Sequence, residues 1–227
     1  MELEKKLTAL DRIYKIYDEF SAGLDVACEK TCTHCCTTNV TLTTLEGYKI
    51  VDQLTAVGKL GIIDRLTDLP HLKRYQPRVS INRLAELVAA DAKVPPENPA
   101  ETWGPCPLLK DELCAIYDQR PFGCRCFVSR QNCAATGFAD IDDFTASVNT
   151  VFLQIIEHVD REGCSGNLID LLPVMSSDNS QRAYAKDELK CEDSDLIVNW
   201  QLKVLMIPPE HRTQIEPILE QLRQIKI

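Results

Sequence analysis

Eight of the eleven cysteines stand in two tight groups. The first is Cys28, Cys32, Cys35 and Cys36, in the run C-EKT-C-TH-C-C. The second is Cys106, Cys114, Cys124 and Cys126, in C-PLLKDEL-C-AIYDQRPFG-C-R-C. Thiols at this density constrain a fold strongly, because the chain must either cross-link them or gather them around a soft metal. Cross-linking is a device of small secreted domains, whereas 227 residues, 44% of them hydrophobic, suffice for an ordinary apolar core. The N-terminal run MELEKKLTALDRIYKIYDEF mixes charged and apolar residues without an uninterrupted apolar stretch, so it does not read as a secretory signal. Nothing approaches the ~18 apolar residues of a membrane span. The expected location is therefore cytoplasmic, where thiols stay reduced, and an odd cysteine total fits full pairing poorly. Metal or cluster binding is favoured over redox-active thiols and structural disulfides. Cys133, Cys164 and Cys191 are scattered and read as spares.

The formal net charge of -9 argues against non-specific nucleic-acid binding, which needs a basic face. Within the first group, Cys32-x-x-Cys35 has the spacing that brings two thiolates from one turn to one metal. Adjacent Cys35 and Cys36 point in different directions and are not expected to serve one small site equally. Cys124 and Cys126 share a side only if their segment is extended. Structural zinc sites favour two short knuckles, and only the first group contains one. The second group is irregular, and Cys106 precedes Pro107, as in the Cys-Pro that closes bacterial ferredoxin cysteine runs. Spacing of this kind favours an iron–sulfur cluster, with zinc as the alternative. Eight thiolates permit one centre or two.

The expected fold class is mainly α: an irregular helical domain with a small β-hairpin and cysteine-rich loops around a metal site. An amphipathic stripe (Leu3, Leu7, Leu10, Ile13, Tyr14, Tyr17) predicts a first helix. Its apolar face also offers a route to a homodimer. Thr43 or Thr44 caps a second helix ending near Gly58, a short helix covers Ile62–Leu69, and Ser80 caps another. The proline-rich run 94–107 reads as a loop that delivers Cys106. PLLKDELCAIY predicts a hairpin turning at Lys110-Asp111-Glu112, and Phe122-Gly123 a further turn. A long helix starts at Asp140 or Asp142, with Gly163 as its stop and Asp142-Asp143 as favourable N-terminal charges. Leu168–Met175 and Asp195–Ile207 are ambiguous between strand and helix. A last helix carries Ile215–Ile225, with Pro217 expected in its first turn. The chain divides into a cysteine-cluster domain, residues 1–163, and a helical extension, residues 164–227.

Around the cysteines, Arg120 and Arg125 are candidates to sit beside the bound group and offset its negative charge. Tyr117 reads as packing for the hairpin. His34 reads as a loop residue, and His71, His158 and His211 as surface residues. His71–Arg78 reads as a solvated basic patch, Trp103 and Trp200 as packing. Motifs for phosphate, dinucleotide or S-adenosylmethionine binding are missing, and the Cys28-Cys32-Cys35 spacing lacks the βα pattern of a radical enzyme barrel.

With C-x3-C-x2-C-C, then CPLL, then C-x-IY-x-x-RP-x-x-C-R-x-F, the chain resembles the CxxCxxCC cysteine-cluster family between Cys28 and about Phe127. His34 stands where many members carry Gly. That resemblance implies a zinc- or iron-chelating domain using all eight cysteines. Flagellin lysine methylases share the cluster type, which implies an iron–sulfur centre, [4Fe-4S] being the expected form. The expected function is then redox: electron transfer with a partner protein, or service to a redox or methyl-transfer enzyme. A zinc-binding interaction module is the rival, and a protein-lysine methylase-like enzyme the lesser alternative. No nucleic acid or membrane is expected as a partner.

Overall fold

The computed structural model describes residues 1–67, 69, 72–96, 103–191 and 195–225. The first helix, α1 (Leu3–Ser21), turns Leu10, Ile13, Tyr14 and Tyr17 into the molecule's own core. Strand β1 (Thr41–Thr43) runs directly into α2 (Thr44–Ala56). A reciprocal capping box makes that junction: the Thr43 hydroxyl accepts from the Glu46 N–H, and the Glu46 carboxylate accepts from the Thr43 N–H. The short helix α3 (Gly61–Thr67) and Ser80-capped α4 (Ile81–Ala89) lie where the sequence pattern puts them.

The expected hairpin forms from β2 (Leu109–Lys110) and β3 (Leu113–Cys114), with Leu109 opposite Cys114. Its two turn residues, Asp111 (φ 50°) and Glu112 (φ 59°), are both left-handed, the backbone of a two-residue hairpin turn. After a 3-10 turn at Tyr117–Gln119, residues Phe122–Arg125 form a single helical turn, α5. A second one, α6 (Cys133–Thr136), precedes the long α7 (Asp143–Val159), whose cap is Asp142, accepting from Thr145 N–H at 2.9 Å.

Helix α7 ends at Val159, short of Gly163. The next residue, Asp160, is fully buried and accepts from the Thr44 hydroxyl (2.7 Å), Leu45 N–H (2.9 Å) and Tyr184 hydroxyl (2.5 Å). These bonds draw the chain off the helix axis. Gly163 matters for another reason: a Cβ there would sit 2.2 Å from Thr44 Oγ1 and 2.6 Å from Asp160 Oδ1.

Residues from 164–191 and 195–225 contribute to the same core. Strand β4 (Cys164–Asn167) pairs antiparallel with β1, and β5 (Ile197–Val198) pairs with β4, giving a three-stranded sheet in the order β1-β4-β5. The sequence pattern did not announce this sheet, because its strands are only two to four residues long; β5 lies in the 195–207 run whose pattern is ambiguous between strand and helix. Leu168–Ser176 is a helix, α8, packed on α2 and α3 and followed by α9 (Asp178–Ala185). The rest of the 195–207 stretch is irregular beyond β5. In the last helix, α10 (Arg212–Arg223), Pro217 is the sixth residue, so it lies beyond the first turn. Among the described residues the fold is mainly α, and no helix is long and apolar enough to cross a membrane.

Two of the supposed spare cysteines are not spare. Cys164 on β4 and Cys191 after α9 are joined as a disulfide in the interior. The two strand and loop segments that meet there bring the thiols together from 27 residues apart, a proximity with no local sequence signal.

Candidate metal centre

Three local structures deliver the cysteines. The first group lies on a turn-rich loop, where Cys32 N–H bonds to Glu29 O and Cys36 N–H to Thr33 O, both at 2.9 Å. The hairpin presents Cys114, with Cys106 leading into it. Cys106 N–H donates to Cys36 O at 2.9 Å, so the backbone itself ties the two groups together. Cys124 rides on α5.

Seven of the eight predicted cysteines line one cavity: Cys28, Cys32, Cys35, Cys36, Cys106, Cys114 and Cys124. Counting the space at its mouth, it encloses about 820 Å³. The eighth, Cys126, is buried in the apolar core and does not line it. Here the helical turn decides. Positions i and i+2 on a helix are about 200° apart, so with Cys124 turned to the cavity, Cys126 faces the opposite way, its sulfur directed to Gly123 O at 3.7 Å. Among the described residues, no three His, Cys, Asp or Glu side chains are gathered as around a single ion.

Burial dominates the thiol electrostatics. It pushes Cys106 up to about 11 and Cys126 up to about 12, and raises Cys28, Cys114 and Cys124 as well. Cys36 runs the other way: a hydrogen bond from the Cys35 thiol lowers it, and the same bond raises Cys35. A soft metal would discharge the burial cost by replacing the protons. The donor set, seven thiols around one cavity, fits a thiolate-bound metal or cluster on chemistry.

The two candidate arginines part company. Arg120 lines the cavity and acts on Cys35, Cys114 and Cys124 as a nearby positive charge. It stacks on Tyr117 at 3.7 Å from the ring centre, and Lys30 covers the same ring at 4.9 Å. Tyr117 is thus a cavity wall in contact with two cations. Arg125 is turned away: it donates to Arg120 O (2.8 Å) and Asp118 O (3.1 Å) and lies 4.5 Å over Tyr14, bracing the loop.

The histidines are equally divided. His34 is exposed and does not line the cavity. His158 and His211 are half-buried and engaged, not simply superficial: His158 Nδ1 accepts from Leu202 N–H, and His211 Nδ1 lies 2.8 Å from Ser147 Oγ. His71 lies outside the described residues. Within the basic stretch, Arg74 forms a two-point pair with Asp170, at 2.8 and 2.6 Å, so this arginine serves the fold. Trp103 packs edge-on against Tyr75, and Trp200 donates to Glu86, both as packing residues.

Two residues that the sequence reading passed over set the geometry of α5. That turn has no side-chain cap of its own. Buried Glu46 on α2 supplies the missing acceptor, taking Phe122 N–H at 2.7 Å and the Tyr14 hydroxyl at 2.7 Å. At the other end, Asn149 on α7 donates to Cys126 O (3.0 Å) and accepts from the Tyr17 hydroxyl (2.8 Å). Between them, Gly123 lets α5 lie against β1: a Cβ would come within 2.6 Å of Thr41 O. The T-x-x-E pattern at Thr43–Glu46 is a legible capping box, but nothing local shows that the same carboxylate reaches a loop 76 residues away.

Set beside family descriptions, curated proteins and solved structures, the chain finds no match in any of the three.

Proposed function

We propose that the chain binds an iron–sulfur cluster in this cavity and has a redox role, in electron transfer or in service to a redox or methyl-transfer enzyme. The observation that carries the reading is the convergence of seven cysteines from two distant sequence groups on one cavity. The thiols ring a volume and do not meet at a point. A cluster bound at separate corners suits that arrangement better than one zinc ion, whose four sulfurs each lie ~2.3 Å from the metal. The likeness to the CxxCxxCC family agrees with this reading.

A bound cluster would supply a one-electron couple. The chain's own residues would hold and tune it: the cysteines as thiolate ligands, Arg120 as a nearby cation, and Leu108, Ile116 and Leu168 as apolar walls that keep water out. Protein purified without oxygen is expected to be brown, with a broad band near ~400 nm that dithionite bleaches. Colourless protein carrying stoichiometric zinc would overturn the reading in favour of a zinc-organised interaction module.

A further inference from the structure

The Cys164–Cys191 disulfide and the cysteine cavity lie at opposite ends of one short strand. Cys164 opens β4, and Leu168, the residue that follows β4, lines the cavity. Four steps of extended chain, about 13 Å, separate the two. At the cavity end, β4 is fastened to the segment that follows the first cysteine group. Fully buried Asn167 donates from Nδ2 to Thr38 O and to Tyr75 O, both at 2.8 Å, and Leu168 N–H donates to Val40 O at 2.9 Å. Val40 also lines the cavity. Thr37 bridges to Pro105, and Cys36 O accepts from Cys106 N–H. The far end of β4 therefore holds the stretch, residues 36–40, on which the two cysteine groups meet.

At its other end β4 is held, besides its pairing with β1, by the Cys164 N–H bond to Thr44 Oγ1 (3.0 Å), by the two-residue β5, and by the disulfide to the chain after α9. The remaining nine cysteines are free thiols. One pair is thus oxidised in a chain whose cavity cysteines are all reduced, and that pair is tied to the strand that carries the cavity wall.

We propose that the disulfide is a redox latch on the cysteine cavity. Closed, it keeps β4 seated and, through Asn167 and Leu168, the Val40 wall in place. A dithiol reductant opens it by exchange. The reductant's thiolate attacks Cys191 Sγ, since Cys191 is 6% exposed and Cys164 not at all. The Cys164–Cys191 bond breaks and a mixed disulfide forms at Cys191. The electron pair of the broken bond leaves with the Cys164 sulfur, which takes a proton. The second thiol of the reductant then displaces the Cys191 sulfur, which is protonated in turn. Two electrons have passed to the protein, and the reductant leaves as its own disulfide. The freed chain regains its loop entropy, and the wall unseats by local opening. The wall is the chain's own, whatever the cavity binds; the consequence for iron rests on the cluster reading above.

Native-state amide hydrogen exchange on the metal-free full chain, kept anaerobic with and without dithiothreitol, tests the latch. Alkylation read by mass should count nine thiols without the reductant and eleven with it. In the closed chain, Leu168 N–H is expected to exchange with the slowest amides of α1, those of Leu10 and Ile13. After reduction it should run at least about tenfold ahead of them. C164A/C191A should show the fast rate with or without dithiothreitol. Loaded with ferrous iron and sulfide, that variant should pass iron to a chelator at least about tenfold faster than the closed wild type. A count that stays at nine without denaturant would overturn the latch. So would Leu168 keeping step with Leu10 and Ile13 after reduction, which would make the link a staple for the whole fold. Fast Leu168 exchange in a chain that holds zinc and no iron would support the latch and overturn the cluster reading.

Discussion

At the scale of single residues, Glu46 connects the most. Its Oε2 completes the capping box of α2, while its Oε1 caps α5 and holds the Tyr14 hydroxyl. Burial among these donors raises Tyr14 well above the usual phenol range, with the Glu46 charge adding to the effect. Glu46→Ala would strand buried donors that each cost about 1–3 kcal/mol when unpaired. The expected loss is about 3–5 kcal/mol in the urea midpoint extrapolation; on the proposed cluster reading, iron retention should weaken too, because Cys124 rides on the released turn. Glu46→Gln, which keeps one acceptor, should lose clearly less. A wild-type midpoint in the alanine variant would show that the turn stands unaided. What could be read at this scale was residue type: the cysteines, Arg120 and Arg125 among them, and an aspartate, Asp140 or Asp142, at the start of the long helix. Which arginine faces the cysteines could not be read, because Arg120 and Arg125 differ only in the direction the backbone gives them.

At the scale of elements, the helical turn α5 is the decisive departure from expectation. An extended segment would have put Cys124 and Cys126 on one side; the helix puts them on opposite sides. The local sequence Arg-Pro-Phe-Gly-Cys-Arg-Cys reads as a turn, and only clamping by Glu46 and Asn149, with Phe122 buried against Tyr17 and Phe152, makes it helical. The hairpin, by contrast, was legible, because its turn chemistry is local. The Cys164–Cys191 disulfide also belongs at this scale, since it ties β4 to the chain after α9. A closed loop of that length, 27 residues, is worth about 3.5 kcal/mol in chain-entropy accounting. C191S should lose that amount in urea unfolding under oxidising conditions. Reductant should bring the wild type down to the variant, and a wild type indifferent to reductant would show that the link does not stabilise the fold.

For the whole molecule, Asp160 joins α7, the β1–α2 junction, α9 and the β5 segment, its buried carboxylate accepting from Thr44, Leu45, Tyr184 and Asn199. Burial raises it from 3.8 to about 6, against the pull of its hydrogen bonds from Thr44, Tyr184 and Leu45. A carboxyl held more tightly protonated in the folded chain favours folding at low pH. Its contribution is full below about pH 4 and is lost as the pH rises to about 6. The size of that loss is on the order of 3 kcal/mol. Buried Glu157, also raised, works in the same direction. Asp160→Asn can keep an acceptor for Thr44 and Leu45, and should flatten stability between pH 4 and 6 while leaving the Glu157 part. Unfolding free energies measured across that interval check it; a slope unchanged from wild type would place the titration elsewhere.

The sequence by itself determined the parts whose causes are local. Amphipathic periodicity made the long helices, Ser80 and an aspartate at 140 or 142 marked helix starts, and the polar turn at Lys110-Asp111-Glu112 marked the hairpin, whose turn the structure confines to Asp111 and Glu112. Cysteine density made a soft-metal site the favoured reading. Tertiary structure decided what depends on groups far apart in the chain. It formed the β1-β4-β5 sheet from strands of two to four residues and linked Cys164 to Cys191. Held by Glu46 and Asn149, the four-residue helical turn Phe122–Arg125 shows one cysteine to the cavity and hides the next. The number of thiols is a property of the sequence; which of them line the cavity is set by the way the packed backbone points them.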